Sequence, residues 1–195
     1  MPPLILASAS PRRRELLARV GVEFVVRPAD IDESEAPGEP PLTYVQRVAA
    51  AKAAALATTG AWVLAADTIV ALDGRVYGKA RDADDARGML TALAGHTHQV
   101  TTAVVLRRGH DAHALAVTTD VELIAAAPAV IDAYVASGEW QGKAGAYAVQ
   151  GIAAALVRTI RGSITNVVGL PLVEVIELLT ATGAAQVDLA RGQAA

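Results

Sequence analysis

The chain contains no cysteine. Disulfides, thiolate nucleophiles and Cys-ligated zinc are therefore excluded. Aromatic residues are scarce, 4% of 195 positions with a single Phe, so the core has to be built from Val, Leu, Ile and Ala. A basic excess is also missing. The net charge of −3 argues against a general nucleic-acid-binding protein, and an anionic ligand has to be held by a local cluster of Lys and Arg. No uninterrupted apolar stretch is long enough to span a bilayer, so no membrane partner is expected. The N-terminal apolar run is short and precedes the basic residues, so no targeting segment is expected and a cytoplasmic protein is the default. A G-x-x-x-x-G-K-[ST] phosphate loop is absent too, which sets aside an ordinary ATPase or kinase.

What is present is an unusual first helix. Leu4-Ile5-Leu6-Ala7 reads as a buried strand, and Ser8-Ala9-Ser10-Pro11-Arg12-Arg13-Arg14 follows it directly. Pro11 fits the first helical position and Ser10 the N-cap. Leu16, Leu17 and Val20 give the helix an apolar face, and Gly21 ends it. Three arginines then occupy a first turn where the helix dipole is already positive and each is disfavoured by up to ~1 kcal/mol. Beside two hydroxyls and free backbone N–H groups they make an anion site. The plain alternative is a solvated charged face.

Further along, Val22 to Val26 predicts a second strand, and Arg27 to Pro41 an acidic loop. Most of that loop reads as a solvated connector; the alternative is that one acid turns back towards the arginines through a metal ion. Leu42 to about Thr59 has helical spacing, with Lys52 on the apolar stripe beside Val45, Val48 and Ala49. A lysine there snorkels to the edge of the core, or points into a cleft that holds an anion. Trp62 to Leu72 reads as a strand buried on both faces, interrupted by Asp67 and Thr68. A carboxylate in that position needs a partner, either backbone N–H groups or a functional one.

Asp73-Gly74 predicts a hairpin turn, and Asp82 a helix cap ahead of Ala83 to Ala94. Two long strands, His96 to Leu106 and Ala114 to Ile124, are expected around a polar turn from Arg107 to His113. The histidines at 96, 98, 110 and 113 match no common metal spacing and read as surface or structural. Pro128 opens a helix, and a glycine-rich loop then carries Lys143, Tyr147 and Gln150. Ile152 to Ile160 is expected to be a strand, and Gly162 to Asn166 a polar turn whose Asn166 helps position the cleft. A last helix opens at Pro171 and runs to about Leu179. Residues 1–182 are read as one domain and 183–195 as a frayed tail. The alternation of elements predicts a mixed-sheet α/β fold with two lobes around a central cleft.

Five motifs, taken in order, resemble the Maf-family nucleotide pyrophosphatases. They are Ser8 to Arg13, Ala66-Asp67-Thr68, Gly78-Lys79, Lys143 to Gly151, and Gly169-Leu170-Pro171. The resemblance runs from Leu4 to about Leu179. It implies an elongated α/β fold like that of inosine triphosphate pyrophosphatases. It also implies an enzyme that hydrolyses a nucleoside triphosphate between the α and β phosphates, using Mg2+ or Mn2+. By the same resemblance Asp67 is the catalytic acid, and Asp67 with Glu33 supplies metal ligands. Arg12, Thr68 and Gln150 match positions that choose the base. Ser8, Arg13, Lys52, Lys79 and Lys143 form the phosphate-binding set. The segment around Gln150 resembles the dTTP/UTP branch, although Gly142 stands where many members carry an acid. A homodimer is allowed by family likeness alone. The other functions weighed are a broader house-cleaning pyrophosphatase and a non-catalytic nucleotide-binding regulator of septum formation.

Overall fold

In the computed structural model, which describes residues 3–194, the first apolar run forms β1 (Leu4–Leu6). There follow α1 (Pro11–Arg19), β2 (Phe24–Val26), α2 (Pro41–Ala55), β3 (Val63–Leu72), β4 (Arg75–Tyr77), α3 (Ala83–Leu93), β5 (Thr97–Arg108), β6 (Asp111–Leu123), α4 (Pro128–Ala136), β7 (Val157–Arg161), α5 (Ile164–Val168) and α6 (Leu172–Thr182). Among the described residues, seven strands join one mixed sheet in the order β2-β1-β3-β5-β6-β7, with β4 paired to β3. β1 runs parallel to both β2 and β3, while the β3–β4 and β6–β7 pairs are antiparallel. The expected mixed-sheet α/β fold is what forms. Leu4, Ile5 and Leu6 are all buried, as a strand flanked by parallel neighbours requires. Among the described residues no helix is long and apolar enough to cross a membrane.

The chain divides into two compact units. One holds the chain up to Asp67, Thr102–Val117 and the chain from Gly169 onwards; the other holds Thr68–Thr101 and Thr118–Val168. Leu6, Leu17, Val45, Val48, Leu64, Leu106, Leu170 and Leu179 are buried in the first. The second has its own core, in which Leu90, Leu93, Val121, Ile131, Tyr134, Trp140 and Tyr147 belong to one apolar cluster. Both cores are aliphatic in the main, as the composition demands.

Several local expectations need correction, each for a visible reason. α2 ends at Ala55, because Thr58 serves a turn: its carbonyl accepts from Gly109 N at 2.8 Å and its Oγ1 from Gly60 N at 3.2 Å. The β5–β6 connection is two residues, Gly109 and His110, and not the seven from Arg107 to His113. Gly109 takes φ +59°, which lets the strands extend to the tip, and Arg108 stacks on the Trp62 ring at 4.4 Å. Ile152–Leu156 is a 3-10 turn and only Val157–Arg161 is strand. A short apolar run cannot distinguish these states.

The polar turn around Asn166 closes into α5, and the Asn166 side chain is buried. Its Nδ2 donates to the Val100 carbonyl and to Thr119 Oγ1, both at 2.9 Å, so its place is structural, within the second unit. The tail beyond α6 docks where fraying was expected: Asp188 N donates to the Val20 carbonyl at 3.1 Å, just past the end of α1. Gly21, at φ +67°, has no room for a Cβ because Asp188 lies against it.

Candidate active site

The first unit assembles its polar residues at the start of α1. Ser10 caps the helix, its Oγ accepting from Arg13 N at 3.5 Å, and Pro11 occupies the first turn. Ser8 is buried, and its Oγ accepts from Ser10 N and from Arg13 Nη1, each at 3.2 Å. Arg13 also donates from Nε to the Gly169 carbonyl at 2.7 Å. Gly169 sits at φ +121°, a backbone setting that suits glycine and turns its carbonyl to that guanidinium. The Gly169-Leu170-Pro171 motif is thus tied to the arginine motif 156 residues away in sequence.

The three arginines differ in their surroundings. Arg14 is exposed, Arg12 half-buried and Arg13 buried. Burial pulls the Arg13 guanidinium below its ordinary pKa; the charge of Asp67 pushes it back, Arg12 adds to the lowering and Glu33 opposes it. Burial lowers Arg12 as well, against a smaller rise from Glu15. Guanidinium groups stay protonated through such shifts, so both remain cations.

Asp67, the last residue of the first of the three segments that make up this unit, is buried on β3. Its partner is Lys52, whose Nζ donates to Asp67 Oδ1 at 2.8 Å and meets Glu33 Oε1 at 2.9 Å. Lys52 therefore does not snorkel to solvent. It turns inwards and stands between two carboxylates. Glu33 is the loop acid that turns back, but the cation it meets is this ammonium. The rest of the loop is also more ordered than a solvated connector. Tyr44 donates its hydroxyl to the Glu33 carbonyl at 2.8 Å. Arg47 grips both Glu39 carboxylate oxygens at 2.7 Å and the Ser34 carbonyl at 2.9 Å. That guanidinium holds the Glu39 carboxyl down to about 2. Burial raises the Tyr44 hydroxyl, and the negative charges of Asp67, Glu33 and Glu35 raise it further.

Tyr44 and Arg47 were not singled out from sequence, because their partners Glu33, Ser34 and Glu39 lie on the loop before α2 and meet them only in the fold. The only hint was an aromatic and a cation facing a carboxylate-rich loop.

The second unit carries Thr68, Lys79, Lys143 and Gln150. Asp67 and Thr68 are consecutive on a strand, so the pleat turns their side chains to opposite faces; they do not share one position. Thr68 is half-buried. Lys79 is exposed, and its backbone pairs with Ala144, which joins the Gly78-Lys79 and Lys143–Gly151 motifs. Gly145 N donates to the Tyr77 and Gly78 carbonyls, both at 3.0 Å. Gly145 takes φ +66°, and a Cβ there would press on Val70 at 3.0 Å. Ala146 next to it is also at positive φ, +60°, a setting that costs a non-glycine residue energy. Lys143 donates from Nζ to the Gln141 carbonyl at 3.3 Å, and Gln150 is exposed in a turn closed by Gly151 N to Ala148 O at 3.1 Å. Glu139 ends the segment by accepting from Ile152 N at 2.8 Å and Ala153 N at 3.3 Å, a cap that sequence did not predict.

His98 anchors the same segment from below. It is buried, and its Nε2 lies 2.7 Å from the Tyr147 hydroxyl. Burial pushes the imidazole down to about 4 and the Tyr147 hydroxyl up. An unfolded chain takes up the His98 proton near pH 6.5, whereas the folded chain does so only near pH 4. The resulting stability is complete above pH 6.5 and is lost as pH falls towards 4. Between pH 7 and 4.5 this group should remove ~2 kcal/mol. Urea unfolding at the two pH values should show that much flattening of the pH dependence in His98→Gln, and an unchanged slope would contradict the assignment.

Of the residues predicted for the site, the first unit thus brings together Ser8, Arg13, Glu33, Lys52 and Asp67, with Arg12 beside them on α1. In the second unit one backbone bridge joins Lys79 to Ala144, the neighbour of Lys143, and Thr68 and Gln150 belong to the same unit.

Comparison with known proteins adds an independent view. Residues 3–182 match the family model described as Maf-like protein. A dTTP/UTP pyrophosphatase of Anaeromyxobacter dehalogenans is 54% identical over 186 residues, covering 93% of this chain and 95% of that protein. One from Myxococcus xanthus is 50% identical over 182 residues, covering 92% of each. Among solved structures, a HAM1 protein from Coxiella burnetii aligns at TM-score 0.45 and 18% identity, over 65% of this chain and 75% of that one.

Proposed function

Because the chain belongs to the Maf-like protein family, we infer that it is a nucleoside triphosphate pyrophosphatase that converts dTTP and UTP to the monophosphate and pyrophosphate. The single observation that carries this reading is the buried Asp67–Lys52 pair beside Arg13 and Ser8, with Lys52 also meeting the partly exposed Glu33. It is unlike a structural ion pair, because one ammonium serves two carboxylates and one of them lies on an otherwise exposed loop. Buried charges of that kind are costly and are found where chemistry uses them.

Hydrolysis of a phosphoanhydride depends on positioning and charge neutralisation. In the first unit Arg12, Arg13 and Lys52 supply cations for a triphosphate and Ser8 supplies a hydroxyl; Lys79 and Lys143 are the second unit's cations in the same reading. Asp67 orients a water and accepts its proton as the water oxygen bonds to the α-phosphorus. The bond from that phosphorus to the α,β-bridging oxygen breaks, and pyrophosphate leaves with the electron pair.

A divalent cation suits the same residues. Two carboxylate oxygens, from Asp67 and Glu33, face one point, and among the described residues no cluster of three His, Cys, Asp or Glu forms. Asp67 and Glu33 would hold a magnesium or manganese ion through carboxylate oxygens, the ligand type such ions prefer. When bound there it would neutralise phosphate charge.

Base choice falls to Arg12, Thr68 and Gln150. The exposed Gln150 amide can both donate to and accept from a pyrimidine edge. A screen of nucleoside triphosphates with magnesium, assayed for pyrophosphate, tests the reading: dTTP and UTP should be the best substrates. In Gln150→Ala the preference over dATP and dGTP should fall roughly tenfold, with a smaller change in kcat for dTTP, as the loss of a base-edge hydrogen bond predicts. An unaltered preference would remove Gln150 from the specificity set.

A further inference from the structure

Lys52 occupies the one point towards which both site carboxylates aim. Its Nζ is 2.8 Å from Asp67 Oδ1 and 2.9 Å from Glu33 Oε1, and its stem rises from the last turn of α2 among the buried Val48, Ala49 and Ala53. Two like charges so placed repel unless a cation stands between them. A divalent ion held by the same two carboxylates would compete with the ammonium for their oxygens, so the two cations exclude one another.

Resting on the hydrolytic reading above, we propose that Lys52 is a resident counter-ion that keeps free divalent cation out of the Glu33–Asp67 pair until a triphosphate draws the ammonium away. The chemistry of the side chain suits the exchange. An ammonium on a four-carbon stem is a compact point charge with three donors, able to leave a carboxylate for a phosphate oxygen with little rearrangement. The route is also marked. The Glu33 side chain is 41% exposed, against 12% for Asp67 and 9% for Lys52, so exchange proceeds from the Glu33 side. Tyr44 donates to the Glu33 backbone carbonyl at 2.8 Å, a tie that does not involve the ammonium. Metal and nucleotide then bind with positive coupling, each strengthening the other by the same factor.

The test is binding of Mn2+ to the nucleotide-free full chain, followed by the resonance signal of free Mn2+. Lys52→Gln should bind Mn2+ roughly tenfold or more tightly than the unsubstituted protein, the scale of an ordinary coupling between sites. Its melting temperature should rise with Mn2+, while that of the unsubstituted protein barely moves. Adding Asp67→Asn to Lys52→Gln should abolish the gain. Folding of Lys52→Gln only in the presence of Mn2+ would be the same result in stronger form. A folded Lys52→Gln with unchanged Mn2+ affinity would overturn the proposal.

The unsubstituted protein supplies a second measurement that needs no variant. Its Mn2+ affinity should increase roughly tenfold when α,β-methylene-dTTP is bound, beyond the affinity of the analogue itself for Mn2+. Equal affinity with and without the analogue would also overturn it. Turnover of dTTP is assayed in parallel. Its absence counts against the hydrolytic reading, whereas turnover with an unmoved Mn2+ affinity counts against the role of Lys52 alone.

Discussion

Asp67→Asn is expected to lower pyrophosphate release by ~10³-fold, the usual contribution of a positioned base, while nucleotide binding survives. The amide has the size of the carboxylate, so β3 can keep its packing. Its oxygen can still accept from Lys52, which retains Glu33 as a charged partner. What disappears is the acceptor for the water proton. Removing a negative charge from a site that receives a polyphosphate should, if anything, tighten binding. Titration of dTTP against the variant, beside a pyrophosphate assay, separates the two effects. Near-normal turnover would mean that another group activates the water.

Arg13→Met should cause the largest loss of stability among the site residues, ~3 kcal/mol or more. The guanidinium is buried and donates to the Gly169 carbonyl and to Ser8 Oγ. Methionine fills the volume but loses both charge-assisted hydrogen bonds, at about 1.5–3 kcal/mol each. It also strips a cation from beside Asp67. Against a total stability of 5–15 kcal/mol for an ordinary protein, that is a large share. Arg13→Lys should recover less than half of the loss, because one ammonium cannot reproduce a fork that reaches a carbonyl and a hydroxyl in two directions. Urea unfolding of the two variants measures both effects. If Arg13→Met unfolds at the same midpoint as the unsubstituted protein, the tie between α1 and Gly169 is not structural.

Much of this arrangement was legible in local sequence, because local rules made it. Ser10 and Pro11 announce α1, Asp73-Gly74 the turn between β3 and β4, and Asp82 the cap of α3, each through chemistry within four residues. The presence of Asp67 in an apolar strand signalled an unusual carboxylate. The identity of its partner did not follow, since Lys52 lies 15 residues earlier on another element and its place on an apolar stripe fits snorkelling equally well.

Long-range partners were invisible for the same reason. Arg13 meets Gly169, His98 meets Tyr147, and Glu139 caps the turn at Ile152 only after the chain has folded. The errors at Ile152–Leu156 and at the β5–β6 tip arose where short apolar or polar runs suit more than one state, and tertiary hydrogen bonds decide between them. The docking of the tail beside Gly21 belongs to the same class.

Hydrolysis of dTTP in water enriched in 18O tests the central claim most directly. Attack at the α-phosphorus, with Asp67 taking the proton, places one labelled oxygen in dTMP and none in the pyrophosphate, as mass spectrometry of the products would read. Label in pyrophosphate, or release of orthophosphate in place of pyrophosphate, would contradict it.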